Sequence, residues 1–161
     1  MQEFDVFVLA RSFHIVGVVL WIGGVAFVTT VLIPSLKRIV DSDSRLELFE
    51  RLESKFSFQA KIATLITGLS GLYMLFFMNA WGRYLELQFW WLHLMTFVWF
   101  IFTAVLFVFE PLFLHRWFHQ KAKENSGRAF MLLHTMHIIL LSISLIAVLG
   151  AVAGSHGFQF F

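Results

Sequence analysis

The residues with most capacity for chemistry are histidines set in apolar surroundings: His14, His93, His134 and His137. The chain has no cysteine. Disulfides, thiolate-held iron–sulfur or zinc sites and covalent c-type haem attachment are therefore excluded. Histidine is then the main ligand soft enough for iron or copper. His14 sits in the stretch 13–24, Phe-His-Ile-Val-Gly-Val-Val-Leu-Trp-Ile-Gly-Gly. On a helical wheel His14, Gly17, Trp21 and Gly24 fall within about 80° of one another. A histidine facing lipid is expensive, so this face should look into the protein. Gly17, one turn from His14, leaves room for something flat. The expectation is a haem lying edgewise on this face with His14 as an axial ligand.

These residues need elements to position them, and composition says which. Of 161 residues 59% are hydrophobic and 14% charged, with a net charge of +2. Water-soluble domains carry roughly 25% charged residues. An integral membrane protein follows, with the lipid bilayer as first partner. Basic residues confined to loops give no case for nucleic acid. Four apolar runs are long enough to cross a bilayer, for which about 20 residues suffice. The spans are 6–33, 56–78, 89–109 and 129–153 of one transmembrane domain. The predicted fold is all-α, an up-down-up-down four-helix bundle. Polar residues in 37–55 suggest a short amphipathic helix before span two, capped by Asp43 or Ser44. Small residues at Ala60, Thr64, Gly68 and Gly71 suit close helix packing. Acidic Glu3 and Asp5 occupy the place where a signal peptide carries basic residues, so the first run reads as a retained span.

Of twelve Lys and Arg, nine lie in the two long loops: Lys37, Arg38, Arg45, Arg51, Lys55, Arg116, Lys121, Lys123 and Arg128. Lys61 is near the same side, and only Arg11 and Arg83 are opposite. Excess positive charge stays cytoplasmic. Both termini are then outside, in a cytoplasmic (inner) membrane of bacterial type.

Depth sorts the histidines. His14 and His93 both belong to the outer half, on spans that are diagonal in a four-helix bundle. Diagonal helices can place two imidazoles on opposite sides of one haem plane. His134 and His137, at i and i+3, lie near the inner start of span four and share neighbouring faces. They suit a second, inner haem or a metal ion, with Met136 as a conceivable soft ligand. His115 is roughly 33 Å beyond His93 along a straight helix and cannot serve the same site. His115 or His119 would join His134 or His137 in the inner site, or both would lie solvated at the interface. His156 reads as exposed. Arg11, one turn before His14, can pair with a haem propionate or snorkel to the headgroups; Lys61 can snorkel likewise.

The stretch from His14 through Gly17 and Trp21 to Gly24 resembles the first span of CopD-type copper-resistance domains and of HemJ-type protoporphyrinogen oxidases. Phe49-Glu50-Arg51-Leu52 leading into Thr64-Leu-Ile-Thr-Gly68-Leu is similar to the second-span entrance of the HemJ type. Trp91-Leu92-His93 opens span three in the same manner. The resemblance covers most of the chain, in order. It implies a membrane protein of four or five spans that binds haem b, with the first-span His14 implicated and His93 supported. Departures are specific. Residues 28–34, Val-Thr-Thr-Val-Leu-Ile-Pro, replace a Leu-Pro-Arg segment, and Met95 stands where that family has a lysine. His134-Thr-Met-His137 replaces an Asn-Glu-x-Pro element, and no lysine follows. These changes remove polar family residues and add two histidines.

The leading reading is therefore a b-type, bis-histidine membrane cytochrome with one or two haems, exchanging electrons with a quinone, a tetrapyrrole or a redox protein. A protoporphyrinogen oxidase-like enzyme and a copper-handling protein using His134, Met136 and His137 are the alternatives. The six methionines are dispersed rather than clustered, which disfavours Cu(I) traffic. A homo-oligomer is compatible with the sequence.

Overall fold

Pro34 shapes the end of the first long helix in the computed structural model, which describes residues 3–38 and 41–158. Helix α1 (Glu3–Phe27) passes into a π-helical stretch (Val28–Leu32) and a final turn α2 (Ile33–Leu36). Proline lacks an N–H, and its ring clashes with the carbonyl four residues back. Widening to the π register relieves that clash. Ile33 N–H accordingly bonds Val28 O, five residues back. The hydroxyls of Thr29 and Thr30 donate to Val25 O (2.7 Å) and Ala26 O (2.8 Å), adding donors where the register changes.

Helix α3 (Ser42–Phe77) is a single rod of 36 residues. The expected amphipathic helix is its first turns, not a separate element, and Leu46 and Phe49 are its buried residues. Its cap is Asp41, whose carboxylate accepts from Ser44 N–H at 2.8 Å; Asp43 and Ser44 lie inside the helix. Asn79, with φ of 47°, turns the chain into 3-10 segments at Ala80–Leu85 and Leu87–Phe89. Helix α4 (Trp90–Ala104) runs into a second π-helical stretch (Val105–Leu114) that contains Pro111. Helix α5 (His115–Glu124) and α6 (Ser126–Ser155) follow, α6 capped by Asn125 on Arg128 N–H. Gly157, at φ 82°, closes α6 with Phe158 N–H on Ala153 O and Gly157 N–H on Gly154 O. That is the paired Schellman pattern, which satisfies the last free carbonyls.

Every element among the described residues is helical, and four helices are long and apolar enough to cross a membrane: Glu3–Leu36, Ser44–Phe77, Leu87–Leu112 and Ser126–Ser155. They pack in reverse order against their neighbours. Along α1 and α3, Phe7 stacks on Phe77, His14 meets Gly71, Gly17 meets Thr67, and Gly24 meets Phe56. Between α3 and the third span, Trp99 covers Gly68 and Lys61 reaches Glu110. The Trp90 and Trp91 rings cover Gly150, and Trp91 also covers Gly154 on α6. The diagonal pair, α1 and α4, meets at mid-depth through Trp21 and Phe102, edge to face at 5.0 Å.

Gly17 sets the approach of α1 and α3. A Cβ there would lie 2.5 Å from the Thr67 hydroxyl oxygen and 3.2 Å from Ala63 O. That hydroxyl is itself fixed on Ala63 O at 2.8 Å. Gly17→Ala should cost about 1–3 kcal/mol through overpacking. Gly23 has open space around its Cβ position, so Gly23→Ala should leave stability unchanged or raise it. Thermal unfolding of both variants in detergent checks this; equal melting temperatures would contradict it.

Candidate functional site

Below the Trp21–Phe102 contact, toward the π-helical stretches, the helices enclose an apolar cavity of about 280 Å³. Its walls are largely aromatic and aliphatic, with Trp21, Phe56, Phe102 and Phe118 among them. Four polar side chains also line it: Glu53 and Ser57 from α3, Glu110 from the second π-helical stretch, and His137 from α6. Glu53, Ser57 and Glu110 also line a more open recess of about 480 Å³, together with Lys61 and Pro111. Trp21 is 3% exposed, and its indole N–H has no hydrogen-bond partner. A few polar groups in a mostly apolar hollow is the usual make-up of a small-molecule site.

The sequence-predicted histidines other than His115 each have a definite place. His14 is half-buried between α1 and α3, its Nδ1 2.9 Å from Thr67 O and 3.3 Å from the Ser70 hydroxyl. Its neighbour Gly17 does not open onto free space; Thr67 fills that face. Arg11 is exposed one turn away. His93 is exposed, with Nε2 2.9 Å from Tyr84 O and Nδ1 3.3 Å from Phe89 O. His14 and His93 therefore address different partners, α3 and the 3-10 turn, and the structure does not bring them together.

His134 and His137 also separate. His134 bonds Thr29 O through Nε2 (2.9 Å) and Lys37 Nζ through Nδ1 (2.8 Å). The reason lies in Pro34. In the π register of residues 28–32, the N–H that would serve Thr29 O belongs to residue 34, which has none. His134 supplies the missing donor from α6, and Lys37 donates to its other nitrogen. His137 instead lines the cavity with Nδ1 on Leu133 O at 2.9 Å. Met136 lines it too.

The nitrogens sort these four histidines. Both ring nitrogens of His134 have partners, whereas those of His93 both face carbonyl oxygens, of which a neutral ring serves one, Tyr84 O being the nearer. His14 and His137 each hold Nδ1 on a backbone carbonyl, and their Nε2 atoms have no hydrogen-bond partner among the described residues. Anchoring one nitrogen on a carbonyl fixes the tautomer and presents the other as an acceptor or ligand. Among the described residues no three His, Asp or Glu converge as a metal site. A hollow of about 150 Å³ holds a benzene ring, so 280 Å³ admits one substituted ring and not a macrocycle. A haem thus fits the donor chemistry of His14 better than the volume beside His137.

Glu110, Ser57 and Glu53 were missed by sequence reasoning. Lys61 does not snorkel alone: its Nζ lies 3.1 Å from Glu110 Oε1, and both Glu110 oxygens are 2.6 Å from the Ser57 hydroxyl. The signal was present, since a lone cation early in span two and a carboxylate at the end of span three share one depth. His119 pairs with Glu50 at 2.7 Å, and His156 is exposed. The His115 side chain lies outside the described residues. Comparison with known proteins yields no neighbour: no family model matches, nor does any curated protein or solved structure.

Removing His134 strands a buried carbonyl, which costs about 1–3 kcal/mol. His134→Ala should lower stability by that amount. In Pro34→Ala, which restores an N–H for Thr29 O, the same histidine change should cost clearly less. A double-mutant cycle by thermal unfolding measures the coupling; additive effects would contradict the link.

Proposed function

We propose that this chain is a multi-pass protein of the cytoplasmic membrane, folded up-down-up-down with both termini outside, that binds a b-type haem and serves in electron transfer. One observation carries the reading. His14 stands deep in an apolar helix, where an imidazole is costly to keep, and it is pre-oriented by Thr67 O with Nε2 unpartnered. An imidazole so held would offer Nε2 to a haem iron, and the apolar residues around it would tune the iron's potential. The haem supplies one-electron chemistry; the chain orients the ligand and excludes water. His93, held on Tyr84 O and apart from His14 in this structure, and Arg11, exposed one turn away, are the residues that would complete the site as second nitrogen and propionate partner. The copper reading loses support here, because His134 is committed on both nitrogens.

Visible spectra of detergent-purified protein, oxidised and reduced, with pyridine haemochrome, test the proposal. Reduced α and Soret bands should appear in the wild type, vanish in His14→Ala and persist in His137→Ala. Protein that stays colourless after haemin is added would overturn it. Topology has its own test, since the chain has no native cysteine. Single cysteines at Ser44 and Gly82 should label with an impermeant maleimide from opposite sides, Gly82→Cys from outside. Labelling from one side only would reject the orientation.

A further inference from the structure

The apolar hollow and the open recess beside it share three residues, Glu53, Ser57 and Glu110. The two spaces therefore adjoin, and they differ in kind. The hollow, about 280 Å³, presents a surface that is almost wholly carbon. Much of its wall is buried in the bundle, with Val28, Ala60, Phe102 and Leu106 only 2–7% exposed. A hollow of this kind stays dry and takes apolar guests. The recess, about 480 Å³, is lined by charge of both signs, Lys61 against Glu53 and Glu110. The Lys61–Glu110 pair, at 3.1 Å, keeps 30% and 19% of its side chains exposed, so these charges are not sealed in the bundle.

Position along the helices decides what these spaces meet. From Ser57 to the end of α3 at Phe77 is roughly 30 Å, about one hydrocarbon thickness. Glu110 likewise lies near the end of the third apolar helix, Leu87–Leu112. In the membrane-spanning chain proposed above, the recess stands where the apolar layer meets the headgroups, and the hollow runs from it into the bundle. A guest must be apolar at the end that enters and polar at the end that stays. We infer that a phospholipid with a zwitterionic headgroup docks here, one acyl chain turned into the hollow and the headgroup held in the recess. The hollow is about twice the size of one that takes a benzene ring, which suits a length of one chain. An anionic headgroup would meet two carboxylates for one ammonium, whereas a zwitterion offers each sign a partner. This inference rests on the multi-pass reading and not on the haem at His14.

The test places the full chain in phosphatidylcholine nanodiscs doped with phosphatidylcholine that carries a photoreactive diazirine in one acyl chain. Peptide mass spectrometry locates the adducts after illumination. Two classes are expected. Outward-facing Ile139 and Leu149, 56% and 69% exposed, are within reach of any bilayer chain. Phe102 and Leu106 are within reach only of a chain inside the hollow. Ala60→Leu and Val105→Phe add bulk to its wall, and each should lower the Phe102 and Leu106 adducts about ten-fold while the outward ones persist. Circular dichroism identifies a variant that has lost helix content, and the other then carries the comparison. Photoreactive palmitic acid at the same mole fraction should label the wall about three-fold less. Outward adducts without wall adducts in the wild type would overturn the inference and leave the membrane reading in place. So would wall adducts undiminished in a folded filled variant, or equal wall labelling by palmitic acid. Absence of both classes would reject the membrane reading and the inference with it.

Discussion

Much of one end of the bundle depends on a carbonyl with no helical partner. Pro34 deprives Thr29 O of its donor, and His134 reaches from α6 to replace it. Lys37 completes the arrangement on the other ring nitrogen. Because successive residues turn about 100° on a helix, pinning His134 to α1 fixes the rotation of α6. His137, three residues on, is thereby set against the cavity instead of the first helix. A proline in one span thus decides which way a histidine faces in another.

The two imidazoles with an open Nε2 lie at different depths and in different company. His14 is gripped in the seam between α1 and α3, where Thr67 and Ser70 meet its Nδ1. His137 borders an apolar hollow near an ion pair. The Trp21–Phe102 contact stands between these regions. The two imidazoles thus keep distinct surroundings, because aromatic packing midway along the bundle separates the seam from the hollow.

The four long apolar helices were legible in the sequence, as were the packing roles of Ala60, Thr64 and Gly68, because hydropathy and helical period act locally. The partners of the histidines were not. Whether His93 faces His14 depends on how α4 is rotated, and the 3-10 turn before it offers Tyr84 O as a competing acceptor. Gly17 looked like space for a flat group; Thr67, fifty residues later, fills it. The Lys61–Glu110 pair needed only a comparison of depths between spans two and three, but each charge looks interfacial when its own span is read alone. The π register was hidden as well. Pro34 announced a break, while the consequence for Thr29 O required the register to be seen.

Helix α3 joins the polar segment and the second span without interruption. Thirty-six residues extend about 54 Å, against about 30 Å for a hydrocarbon core. The rod is therefore nearly twice as long as a hydrocarbon core is thick, and in a bilayer it would carry a stiff arm outside the apolar layer. Glu50, which binds His119, and Ser57, which binds Glu110, lie on that same rod about two turns apart. The helix runs unbroken between the two residues, so the Glu50–His119 pair and the Ser57–Glu110 contact are rigidly linked in position.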